Sequence, residues 1–154
     1  MILAPVIDRG FTEVRFSAIH GRGLFAKKKI PKGTRLLEYE GERVERNQIV
    51  NDALNGVTNM VYVMGLNETM VIDGGRNGND ARFINHHCTP NCEVYFISDT
   101  PFIYAMEEIG QDEELTFDYH LNLITETSLT PLQKKEWFPC NCGSPLCRGT
   151  LIAE

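Results

Sequence analysis

The chain has 154 residues, 42% of them hydrophobic and 23% charged, with a formal net charge of −6. These values describe one ordinary globular domain, long enough for a real core. No apolar run suffices for a membrane span, the acidic balance argues against direct nucleic-acid binding, and Met1 to Asp8 lack the basic and apolar regions of a secretory signal.

Val14–Ser17, Gly23–Ala26 and Arg35–Glu40 read as strands, the last two joined by a turn at Pro31-Lys32-Gly33. The Lys27-Lys28-Lys29 run before that turn reads as a solvated edge rather than a binding patch. Glu45–Leu54 has helical spacing and stops at Gly56, a C-cap. Met60–Met64 and Thr69–Ile72 form a hairpin pair, and the Gly- and Asn-rich stretch Gly74–Asp80 is irregular. Glu93–Ser98 and Phe102–Met106 form the next hairpin, turning at Asp99-Thr100-Pro101. Glu114–Phe117 is a further strand. Thr130-Pro131-Leu132-Gln133 opens a short helix to about Trp137, with Thr as N-cap, Pro at the first position and Gln at the third. Many short strands and few helices give a mostly β domain built from small sheets.

Five cysteines, an odd number, suit four metal ligands plus one thiol better than a disulfide framework. Cys140, Cys142 and Cys147 fall within eight residues in a Gly- and Pro-containing knuckle, which favours thiolates converging on one soft cation. A tetrahedral zinc needs a fourth ligand, and either Cys88 or Cys92 can supply it. His86 and His87 read as structural residues rather than ligands. A reducing, intracellular compartment follows from this cysteine usage. Gly21-Arg22-Gly23 is either a close-approach site for a ligand or a tight turn before a strand. It is not a dinucleotide fingerprint, because the third glycine and the following helix are missing.

Taken in order, these segments resemble the SET-domain protein lysine methyltransferases. Gly21-Arg22-Gly23-Leu24-Phe25-Ala26 is similar to the family's first cofactor motif, and Glu38-Tyr39-Glu40-Gly41-Glu42 to its E-Y-x-G-E segment. Arg82-Phe83, Asn85-His86, Cys88 and Pro90-Asn91 follow R-F-x-N-H-x-C-x-P-N. Glu114 to Tyr119 follows E-L-x-x-D-Y, and Cys140 to Gly149 the post-SET C-x-C-x4-C-R-G tail. Each motif is modest; five in order are specific. The resemblance covers 14–152 and divides the chain into a SET domain (14–120, with a short insert at about 42–72), a linker with a short helix (121–139) and a post-SET zinc-binding tail (140–154). It also implies a pseudoknot, with the C-terminal segment threaded through a loop, which the strand pattern does not suggest.

The resemblance implies methyl transfer from S-adenosylmethionine to the ε-amine of a protein lysine, with a histone tail or another basic segment as partner. On that basis the cofactor pocket uses the backbone of Arg22, Gly23 and Leu24, with Tyr62, Arg82, Asn85, His86, Tyr119 and Leu151. Tyr119 is the essential catalytic residue, and Tyr39 and Phe117 line the lysine channel. A Phe at 117 is associated with di- or trimethylation and a Tyr there with monomethylation, because a phenol hydroxyl holds a water where a methylated amine must expand. The structural Zn2+ ligands are Cys88, Cys140, Cys142 and Cys147, leaving Cys92 as the spare thiol. The chain departs from the family in lacking a cysteine-rich pre-SET region, in its short insert between Gly41 and Asp73, and in His87 where Ser is common. The insert leaves substrate choice open, and the location is either nuclear chromatin or a microbial cytoplasm. The competing readings are a catalytically silent SET-like module that holds a peptide, and a zinc-knuckle interaction protein. The first must explain why Tyr119, Asn85 and His86 are all present; the second leaves Arg82–Asn91 and Glu114–Tyr119 unexplained.

Overall fold

The computed structural model describes residues 10–122 and 128–153. The expectation for Met1 to Asp8 and part of the 121–139 linker therefore lie outside the described residues. Ten strands and two helices succeed one another: β1 (Thr12–Phe16), β2 (Arg22–Ala26), β3 (Arg35–Glu38), β4 (Glu42–Glu45), α1 (Arg46–Leu54), β5 (Val63–Gly65), β6 (Met70–Asp73), β7 (Asn85–His86), β8 (Cys92–Ile97), β9 (Thr100–Ala105), β10 (Glu114–Phe117) and α2 (Pro131–Trp137). A single 3-10 turn at Asp80–Phe83 precedes β7.

The strands form three small sheets, ordered β1-β2-β10-β7, β3-β9-β8 and β4-β6-β5. The domain is mostly β, as its many short apolar segments imply. β10 enters the first sheet between β2 and β7, antiparallel to one and parallel to the other. That insertion brings Phe117 and the residues after it beside Asn85 and His86. One core joins the first two sheets through Leu24, Leu36, Ile84, Ile103 and Leu115. A satellite of Val44, Ile49 and Val71 packs α1 on the third sheet.

Local chemistry explains most of the boundaries. α1 ends at Asn55, and Gly56 follows with φ +72°, the left-handed position expected of a glycine past a helix end. α2 carries a full capping box, in which Thr130 accepts from the Gln133 N–H and Gln133 accepts from the Thr130 N–H. β5 and β6 pair as the expected hairpin.

The Pro31-Lys32-Gly33 turn joins β2 to β3 as expected, and the two strands lie in different sheets: β2 pairs with β1 and β10, whereas β3 pairs with β9. One expectation is corrected. The β8–β9 reversal falls at Ser98-Asp99, both at positive φ, as a two-residue hairpin requires. Thr100 and Pro101 therefore lie within β9. Short β4 and β7 were not foreseen, since Glu42-Arg43-Val44-Glu45 holds a single apolar residue and β7 is two residues long, too little periodicity to register.

Candidate active site and metal centre

Tyr119 stands two residues past β10, half-buried against the core. Its hydroxyl donates to the Ile84 carbonyl at 2.6 Å, and its ring lies 5.1 Å from Phe117 and 5.3 Å from His86. Tyr39, just past β3 and 5% exposed, donates its hydroxyl to the Tyr62 carbonyl at 2.7 Å. Gly74 faces that phenol so closely that a Cβ there would stand 2.9 Å from the Tyr39 hydroxyl oxygen. Burial, then neighbouring tyrosines and acids, pushes both phenols well above the usual tyrosine range. Both hydroxyls are therefore neutral, and both spend their one proton on a backbone carbonyl. Each hydroxyl oxygen keeps a further lone pair able to accept.

Arg82, in the 3-10 turn, lies against the Tyr62 and Phe83 rings at 5.8 and 4.8 Å. Its Nε is buried without a hydrogen-bond partner among the described residues. Asn85 is 8% exposed, and its amide donates to the His20 and Arg22 carbonyls and to Glu114 Oε1 at 2.8–3.0 Å. Ser17 donates to the same carboxylate at 2.7 Å. Glu114 thus fastens β10 to the Gly21–Gly23 segment. A Cβ on Gly23 would overlap the Glu114 carboxylate, so on that side the space this glycine leaves is filled by Glu114. Leu151 sits in the tail, where its N–H donates to the Phe138 carbonyl at 2.9 Å.

Cys88, Cys140, Cys142 and Cys147 bring their sulfurs within 4.8 Å of one another. Cys88 Sγ lies 3.7 Å from Cys140 Sγ and 4.0 Å from Cys147 Sγ. Tetrahedral zinc with bonds of about 2.3 Å places its sulfurs about 3.8 Å apart, so the donor set fits. Backbone N–H groups of Arg148 and Gly149 already point at Cys88 and Cys147 at 3.4 and 3.3 Å, as thiolates require. Burial pushes the Cys140 thiol up. Burial acts on Cys142 the same way but is outweighed by hydrogen bonds from backbone and neighbouring thiols, which hold it down at about 7. Cys92 is apart from this group, 1% exposed in the core, with its thiol pushed up by burial to about 12.

His86 is 3% exposed, and burial lowers it to about 4 against the opposing pull of Asp118. It is neutral at pH 7, so its 3.6 Å approach to Asp118 is not an ion pair. The Asp118 carboxylate is instead held by Arg148 at 2.7 and 3.2 Å. That pair clamps the cysteine tail to the end of β10. The structure therefore brings Tyr39, Tyr62, Phe117, Tyr119, Asn85 and His86 together and gathers four cysteines beside them. The fastening roles of Glu114, Asp118 and Arg148 escaped the sequence reading, although all three lie inside the motifs quoted for the resemblance.

A family model described as SET domain matches residues 21–120, well over half of the chain. The chain belongs to the SET-domain family. It is 39% identical over 153 residues to a "Histone-lysine N-methyltransferase, H3 lysine-4 specific" of Aspergillus fumigatus, covering 90% of this chain. A similarly named protein of Schizosaccharomyces pombe is 37% identical over 88% of the chain. The "Histone-lysine N-methyltransferase ash1" of Drosophila melanogaster is 36% identical over 97% of it. This SET chain spans only 11%, 14% and 6% of those three proteins. No described helix is long and apolar enough to cross a membrane.

Proposed function

We propose that this SET domain transfers methyl groups from S-adenosylmethionine to the ε-amine of a protein lysine, carrying it to the di- or trimethyl state. The observation that carries the reading is the pair of neutral phenols, Tyr39 and Tyr119, each with its proton committed to a backbone carbonyl. Two electron-rich oxygens in an aromatic enclosure suit the positive charge that passes from the sulfonium to the alkylated ammonium product. Arg82, with its orphaned buried Nε, would take the cofactor's carboxylate. The backbone of Arg22, Gly23 and Leu24, with Tyr62, Asn85, His86 and Leu151, would form the rest of that pocket.

When bound, S-adenosylmethionine supplies an electrophilic methyl on a positively charged sulfur. The chain's part is alignment and exclusion of water, since in-line displacement needs little acid–base help. Tyr119 presents lone pairs that orient the incoming amine. Phe117 and Tyr39 wall the channel, and their dryness lowers the lysine pKa so that the amine arrives neutral. Cys88, Cys140, Cys142 and Cys147 would hold a structural zinc with no open position, pinning the tail beside the site.

The relatives named for histone lysine make a histone the first substrate to test, and chromatin the place of action. The −6 charge agrees with a basic peptide partner. The test is incubation with methyl-labelled S-adenosylmethionine and core histones, followed by fragmentation of labelled peptides. Label on lysine side chains is the expected result. Label absent from every histone and basic peptide, while the cofactor still binds, would overturn catalysis in favour of a peptide-holding role.

A further inference from the structure

Behind Tyr119, one imidazole stands between the active-site phenol and the cysteine cluster. The Tyr119 backbone N–H donates to His86 Nδ1 at 3.0 Å. A backbone N–H can only donate, so Nδ1 carries the lone pair and the ring proton sits on Nε2. Nε2 lies 3.4 Å from Cys88 Sγ. The one proton of the ring therefore points at a sulfur of the metal cluster.

A second connection runs alongside the first. The Arg148 backbone N–H donates to the same sulfur at 3.4 Å, and its guanidinium grips Asp118, the residue immediately before Tyr119. Cys88 thus receives two N–H groups, and each leads back to the Tyr119 backbone within one residue. A ring that merely filled space would need neither polar contact.

We propose that His86 is a positioning residue: as the Nε2–H tautomer it donates to the metal-bound Cys88 thiolate and accepts the Tyr119 N–H, so that metal loading and phenol placement are set by one side chain. This rests on reading the four cysteines as a metal centre. A thiolate is a stronger acceptor than a thiol. Loading the cluster strengthens the Nε2–H bond, and a ring polarised in that sense accepts more strongly at Nδ1. The coupling runs both ways, because donors to metal ligands typically contribute about 10–100-fold in metal affinity.

The test is nitrogen-15 and proton NMR of the whole chain loaded with cadmium-113, which replaces zinc at thiolate sites. The His86 ring should show an unprotonated Nδ1 and a protonated Nε2. Its Nε2–H line should carry a splitting that vanishes when spin-inactive cadmium is used instead. His86→Leu should bind cadmium about 10–100-fold more weakly in chelator competition, with part of the loss recovered in His86→Gln, which keeps a donor toward Cys88. Cadmium held by four thiolates with Nδ1 protonated, with no splitting at the ring, or with unchanged affinity in His86→Leu, would overturn the role of His86 and leave the metal reading standing. Failure of the cysteines to bind cadmium at all would overturn both.

Discussion

The Tyr119 hydroxyl donates to the Ile84 carbonyl at 2.6 Å, across 35 residues of sequence. Ile84 ends the 3-10 turn that carries Arg82, and its neighbour Asn85 begins β7. One hydrogen bond thereby fixes the rotation of the phenol relative to the proposed cofactor residues. It also commits the phenolic proton, so the group works as an oriented acceptor rather than as an acid.

A first prediction concerns alkali. Tyr39 and Tyr119 have folded pKa values raised above the unfolded value of about 10. Above pH ~10 the folded state then binds more protons than the unfolded chain, so their contribution to stability is complete below that pH and falls as pH rises. Phenolate absorbance during titration should show these two of the five tyrosines ionising only as the fold is lost. All five ionising in one step with the fold intact would contradict the buried hydrogen bonds.

Gly23 and Glu114 give a second. The carboxylate is pinned by Ser17 and Asn85 and cannot swing away cheaply. Gly23→Ala should cost about 1–3 kcal/mol in denaturant unfolding. In a Glu114→Ala background that cost should shrink by at least about 0.5 kcal/mol, because the obstructing group is gone. Strict additivity would mean the two residues do not meet.

The same pair marks the limit of what the sequence discloses. Gly21-Arg22-Gly23 read more readily as a turn than as a ligand-approach site, and only the third dimension shows Glu114 packed beside Gly23. Individual strands were legible where alternation ran four residues or more, as in β6 and β8 to β10. Their partners were not: β2 and β3 follow one another across a clear turn, yet lie in different sheets, because pairing is decided by burial far from the turn. The choice between Cys88 and Cys92 was likewise beyond spacing. Cys92 begins β8 facing the core, whereas Cys88 lies before the strand and faces the tail cysteines.

Phe117 supplies a third prediction, on product state. Phe117 is 6% exposed and its ring lies 5.1 Å from that of Tyr119, beside the proposed channel. Phe117→Tyr should hold a water where a methylated amine must expand, and arrest the product at monomethyl-lysine. Mass spectrometry of a time course checks it. Wild-type protein stalling at monomethyl-lysine, or a variant that still trimethylates, would contradict the reading.

Metal removal supplies a fourth. The tail is tied to the domain by Cys88 and the Asp118–Arg148 pair, and to α2 by the Thr150 bond to the Lys134 carbonyl. A chelator should loosen residues 139–153 in hydrogen exchange by roughly tenfold or more, a change of about 1.4 kcal/mol. The strands of the first two sheets should keep their protection. Unchanged tail protection after the metal is stripped would show that the cysteines do not anchor it.

The central claim is that the Tyr119 oxygen, besides its bond to the Ile84 carbonyl, serves methyl transfer. The most direct measurement compares wild type and Tyr119→Phe for labelled S-adenosylmethionine binding and for label transfer to a histone H3 peptide, side by side. Transfer lost by a factor of about 100 or more, with cofactor binding and fold retained, is the predicted result. Transfer undiminished in Tyr119→Phe, or absent from both proteins despite saturating cofactor, would contradict the account.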